Sequence, residues 1–149
     1  MNDLLLNDDY LSLEYLTNAG VLMETWYGFI DYARFVTVTP VLKKAITEHL
    51  AQAGLCDTGR LKILSEEMQD YLLHEKLRQL AKTGLAYYAI VLSPQLYAKL
   101  SADSPSLLTR RINLGYIGAG MEVQCFESVR SAGAWLKIKT NVQQGLANA

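Results

Sequence analysis

One eight-residue run constrains this chain more than any other feature. LAYYAIVL, Leu85 to Leu92, is apolar without interruption. A strand that alternates apolar and polar residues keeps one face in water; a continuous run needs cover on both faces. The run is far shorter than the roughly 18 residues a membrane-spanning helix requires. Lys82 and Gly84 precede it as a helix-ending cation and a C′ glycine, and Ser93-Pro94 follows as a helix start. The run is therefore expected to be a central strand between two helices.

The flanking segments extend that pattern. Leu11, Leu13 and Tyr15 alternate with Ser12 and Glu14, and Asn18 and Gly20 lie between this run and a second, more apolar one. Both turn residues adopt positive φ readily, which predicts a β-hairpin. Asp31 can cap the next helix. Phe35, Val38, Leu42, Ala45, Ile46 and His49 recur at helical spacing around Pro40. One kinked helix ending near Leu50 is expected. AGLCDTGRLKIL holds the next strand. Ser65 then caps a helix with Glu66 and Glu67 in its first turn and a stripe of Leu73, Leu77, Leu80 and Ala81. A helix from Ser93 to about Leu100 follows. Residues 101–120 suggest a short helix around Leu107 to Ile112 and a glycine-rich loop. MEVQCF reads as a last strand. ESVRSAGAWLKI reads as a last helix, with Val129, Ala132, Gly133 and Leu136 inward.

The order β-β-α-β-α-β-α-β-α predicts one α/β domain over 1–149: a mixed, mostly parallel sheet opened by a hairpin. Its core is expected over about 10–138, with 139–149 a loose tail. A chain of 149 residues can bury a core that needs no disulfide or metal.

Charge excludes several functions. Fourteen basic against 15 acidic side chains leave a net charge of −1, so no broad basic field is offered to nucleic acid or an anionic membrane. The acidic N-terminus lacks the features of a signal peptide, and a cytoplasmic location is the expectation. Cys56 and Cys125 lie far apart in apolar runs, as buried reduced thiols do. His49 and His74 lack ligand-spaced partners, and HEKLR is not HExxH, so no metal or cofactor is expected. No GxSxG elbow is present, and no catalytic residue is assigned.

Two motifs invite chemistry. GYIGAG, Gly115 to Gly120, precedes a strand, the reverse of a dinucleotide fingerprint. Asp57 with Asp8 and Asp9 suggests a receiver's acidic cluster, but Asp8-Asp9 come before the first expected strand. Thr58, Arg60 and Ser65 stand close to Asp57, the residue types of a phosphate switch. Ser65 is explained by capping alone, and Asp57 and Thr58 by the turn.

The chain resembles the STAS-like/CRAL-TRIO-like family of small bacterial domains, relatives of the anti-sigma-factor antagonists. The resemblance runs through LEYLTNAGVLMETWYGFIDYARF, LCDTGRLKILSEEMQDYL, GLAYYAIVLS and MEVQCFESVRSAGAWLK. It rests on Trp26-Tyr27-Gly28, on Cys56-Asp57-Thr58, and on Phe126 with Ala134-Trp135-Leu136. It implies helices mainly on one face of the sheet and binding without catalysis. In phosphorylatable relatives a switch serine opens the helix after this strand. That position falls at Ser65 or Glu66, with Glu66 favoured, so a fixed charge replaces a switchable one. The resemblance thus points to a non-enzymatic regulatory or protein-interaction domain. Asp57, Thr58, Arg60, Ser65 and Glu66 form its expected partner-binding surface. The alternative is a small apolar-ligand (lipid-like) binder. Nine tyrosines and an uncovered hairpin edge favour a homodimer.

Overall fold

The computed structural model of the chain describes residues 2–103 and 120–148. The short helix expected around Leu107 to Ile112 and most of the GYIGAG loop lie outside the described residues.

A six-stranded sheet runs in sequence order: β1 (Asn2–Asn7), β2 (Leu11–Leu16), β3 (Val21–Trp26), β4 (Ala53–Asp57), β5 (Tyr87–Val91) and β6 (Glu122–Phe126). The first three strands are antiparallel; β3 to β6 are parallel. The helices among the described residues are α1 (Tyr32–Thr37), α2 (Thr39–His49), α3 (Glu66–Asp70, Tyr71–Lys76 and Leu77–Ala81), α4 (Pro94–Asp103) and α5 (Val129–Asn148). Crossovers between adjacent parallel strands of one hand place their helices on one face. Residues from α1 to α4 accordingly pack with Leu13, Leu22, Tyr88 and Ile90. Among the described residues only α5 covers the other face, against Leu55, Ala89, Val91 and Phe126. LAYYAIVL is central as expected, with Tyr88 and Ile90 facing one layer and Ala89 and Val91 the other.

The helix starts follow the capping residues. Asp31 accepts the Arg34 N–H at 2.8 Å, Ser65 the Met68 N–H at 3.2 Å and Ser93 the Leu96 N–H at 3.2 Å. Pro40 enters the first turn of α2, and only Val38, itself right-handed helical, separates α1 from α2. The two expectations for Pro40, a kink and a helix start, describe the same geometry.

The sheet opens differently from the expected hairpin. Asn2–Asn7 adds a strand beyond it, so β1 rather than β2 is the edge, and the edge argument for a homodimer moves to residues 2–7. Asp8 and Asp9 lie in the β1–β2 turn, where Asp8 Oδ1 accepts the N–H of Tyr10 and of Leu11, each at 2.8 Å. At the other end of the chain α5 continues to Asn148, beyond the expected core limit.

The α3 stripe also differs. Tyr71–Lys76 is a π-helical turn. Its wider winding shifts the phase of the helix. Leu72, Leu77 and Leu80 become fully buried with Lys76, while Leu73 is only half-buried.

Lys76 meets Glu24 of β3 in the core. Its Nζ donates to Glu24 Oε2 at 2.7 Å, and the two side chains are 0% and 2% exposed. Trp26 Nε1 donates to the same oxygen at 2.9 Å, and the Tyr88 hydroxyl donates to Glu24 Oε1. Lys76 Nζ also lies 3.7 Å from Cys56 Sγ and 5.4 Å from the centre of the Phe35 ring. Gly54 makes room for Tyr88: a Cβ there would fall 2.8 Å from the Tyr88 ring. Burial acts against the Lys76 ammonium, while Cys56 and Glu24 act for it, with the net direction upward. We assign the net effect to Glu24, because burial pushes the Cys56 thiol up to about 12 and leaves it neutral. Lys76→Ala strands the Glu24 carboxylate in the core and should cost about 3–5 kcal/mol in urea denaturation. Lys76→Met with Glu24→Gln should recover more than half of that loss. Equal stability of Lys76→Ala and wild type would show that the pair stabilises nothing.

Candidate functional site

The carboxyl ends of β3, β4 and β5 meet in one place. Crevices beyond the carboxyl ends of parallel strands are the usual ligand positions of open α/β sheets. Gly28 bridges Leu61 beyond the strands, and the Lys62 N–H donates to the Gly28 carbonyl at 2.9 Å. This bridge pins the β3–α1 loop to the β4–α3 loop.

The expected partner-binding residues divide here. Asp57 ends β4 and is buried. Its Oδ1 accepts the Gly59 N–H at 2.9 Å, and its Oδ2 lies 3.9 Å from Arg60 Nε, too far for a hydrogen bond. Thr58 is buried as well, with both its N–H and its hydroxyl donating to the Val91 carbonyl. Arg60 is exposed, its guanidinium 5.8 Å from the centre of the Tyr27 ring. Ser65 caps α3, and Glu66 is exposed in the first turn. The Arg60 and Glu66 side chains face solvent. Asp57 and Thr58 shape the turn beneath them.

Three cavities border this region and the sheet beside it. One of about 670 Å³ lies between the β4–α3 loop and α4, lined by Thr58, Gly59, Lys62, Leu64, Ser93 and Lys99 among others. A second of about 260 Å³ lies on the α5 side and includes Ser12, Thr25, Tyr27, Asp57 and Arg60. A third of about 320 Å³ adjoins it along α5, with Leu16, Val21, Met23, Leu55 and Leu136. Among the described residues no group of three or more His, Cys, Asp or Glu could hold a metal ion. Cys56 and Cys125 are free, and β5 lies between their strands. Two strand spacings are about 9–10 Å, beyond disulfide reach. His49 Nδ1 lies 3.0 Å from the Ala45 carbonyl at the end of α2.

Sequence reasoning missed two features. The loop side chains Phe29 and Ile63 are 66% and 60% exposed, on either side of the Gly28–Leu61 bridge. Large apolar residues beside turn signals were the available clue. The Glu24–Lys76 pair was also missed; a charge in each of two apolar patterns was its trace.

The sequence matches no known family model and no curated protein. It is similar to a solved structure of an uncharacterized protein of the DUF3478 family with a SpoIIAA-like fold, from Shewanella loihica PV-4. The identity is 20% and the TM-score 0.48, over 91% of this chain and 92% of that one. No helix among the described residues is long and apolar enough to cross a membrane.

Burial raises the Asp57 carboxyl above its ordinary 3.8, against the opposing pull of the Gly59 N–H and Arg60. A carboxyl raised by folding binds its proton more tightly in the folded state. Its contribution is therefore fully present below 3.8 and is lost as pH rises through the folded value. Asp57→Asn keeps an acceptor for Gly59 and removes the charge. The variant should gain stability relative to wild type as pH climbs from about 4 to 7, in melting curves at each pH. Parallel curves for the two proteins would show that Asp57 ionises without penalty.

Proposed function

We propose that the chain is a non-enzymatic interaction domain of STAS-like type. A protein partner or a second copy docks on the carboxyl end of the sheet. The observation that carries this reading is the pair of exposed apolar side chains, Phe29 and Ile63, held on two pinned loops. Exposed apolar groups on fixed backbone bind without the entropy cost of ordering a loop. Arg60, Lys62, Glu66 and Glu67 are exposed on the same β4–α3 segment as Ile63 and offer charges of both signs, as a polar rim does.

Light scattering across a wide concentration range, with affinity capture and identification of bound proteins, tests the reading. A species heavier than 16.6 kDa should form with wild type and be lost in Ile63→Asp and Phe29→Asp, both folded. A mass fixed at 16.6 kDa, with the same captured proteins for all three chains, would refute it.

The fixed charge at Glu66 gives a finer test. Ser65→Ala should cost about 1 kcal/mol as a lost cap and leave complex formation intact. Glu66→Ser should weaken the complex with a smaller stability change, since only an exposed charge is removed. Loss of the complex in Ser65→Ala without loss of stability would make Ser65 the contact.

A further inference from the structure

The second cavity is a polar one on the α5 side of the sheet. Ser12, Thr25 and Asp57 form a row across it, since Ser12 pairs with Thr25 and Thr25 with Asp57 in the strand register. Neighbouring strands lie about 4.8 Å apart, so the row spans about 10 Å. Glu14 stands two residues along β2 from Ser12, and Tyr27 and Arg60 come from the loops after β3 and β4. Met23 and Val129 are its apolar residues.

The row holds unmet hydrogen-bonding capacity. Thr25 is 8% exposed, and its hydroxyl has no hydrogen-bond partner among the described residues. The same is true of the Ser12 and Tyr27 hydroxyls and of the Glu14 carboxylate. Asp57 is 3% exposed and uses Oδ1 for Gly59, while Oδ2 has only the 3.9 Å approach of Arg60. A buried polar group left this way is costly until something binds it.

The inventory of donors and acceptors selects the ligand. Asp57 and Glu14 accept, Arg60 donates, and the three hydroxyls do both. A simple anion meets two carboxylates. A simple cation leaves Arg60 without an acceptor. A free amino acid carries both charges on one carbon and cannot reach from Asp57 to Ser12. Hydroxyls set around a ring donate and accept on every side, bring no charge to desolvate, and leave C–H faces for Met23 and Val129. The 3.9 Å between Asp57 Oδ2 and Arg60 Nε is too long for a hydrogen bond and sets the two side by side for neighbouring hydroxyls.

We propose that this cavity binds a cyclic polyol the size of one monosaccharide, with neighbouring hydroxyls donating to Asp57 Oδ2 and accepting from Arg60, and others meeting Thr25 and Ser12 along the row. A space of about 260 Å³ suits a single ring and lies below the usual range for larger ligands. Arg60 also borders the loop surface of Phe29 and Ile63. Ser12, Thr25 and Val129 do not, so one site can fail while the other stands.

The probes are glucose, galactose, mannose and myo-inositol, followed through the methyl NMR signal of Met23 in the full chain, with serine, succinate and putrescine for comparison. At least one of the four polyols should shift that signal saturably at millimolar concentration and bind at least fivefold more tightly than any comparison compound. Thr25→Val should weaken that polyol at least fivefold. It removes a buried hydroxyl that has no partner among the described residues, so the variant should melt no lower than wild type. Ser12→Ala tests the far end of the row and should weaken binding severalfold. Val129→Phe fills the cavity and should weaken binding at least tenfold. Ile63→Asp should leave binding unchanged. No saturable shift with any of the four polyols, tighter binding of serine, succinate or putrescine, wild-type affinity in Thr25→Val or in Val129→Phe, or loss of binding in Ile63→Asp would each overturn the proposal.

Discussion

The buried contact between Glu24 and Lys76 fixes how the helical layer sits on the sheet. Two charges taken out of water are tolerated only with close geometry and further hydrogen bonds. Glu24 meets that demand with three donors: Lys76, Trp26 and Tyr88. These residues come from β3, β5 and α3, so the contact ties non-adjacent strands to the helix above them. The π-helical turn accompanies it. Lys76 ends that turn, at the point where the helix phase has shifted enough for Leu72, Lys76 and Leu80 to enter the core together. Sliding α3 by one residue would separate the charges, and apolar packing alone would not impose that penalty.

Much of the architecture was legible in local chemistry. The hairpin at Asn18 and Gly20, the caps Asp31, Ser65 and Ser93, and the doubly covered run at Leu85 all depend on neighbours in sequence. β1 was not legible, because NDLLLN alternates poorly and its strand state depends on pairing with β2. The α3 stripe was placed partly on Leu73, since a period of 3.6 cannot anticipate a π turn. Lys76 looked like a surface residue for the same reason. Its partner lies 52 positions away, and no local pattern links them.

The candidate site shows the same division. Ser65 as a cap followed from its place before Glu66 and Glu67. Asp57 and Thr58 were grouped with Arg60 and Glu66 by proximity in sequence, but strand geometry separates them. The last residue of a parallel strand remains in the sheet, and its side chain is enclosed by neighbouring strands. The following turn carries the exposed groups. Sequence distance therefore grouped side chains that strand geometry divides between a buried turn and an exposed loop.

The unequal cover of the two faces explains why a groove exists beside α5. The face carrying Glu24 is closed by four helices and has its charges matched inside. The opposite face has one helix among the described residues, packed over β4, β5 and β6. Ser12, Thr25 and Asp57 share one row across β2, β3 and β4, and the same row continues into Val91 and Phe126. α5 covers its apolar part, where burial is most favourable. The polar part stays beside the helix, because covering it would leave Thr25 and Asp57 without partners under apolar side chains. The row's own sequence thus sets how far α5 can spread, and the uncovered remainder is a groove whose polarity changes along the strands.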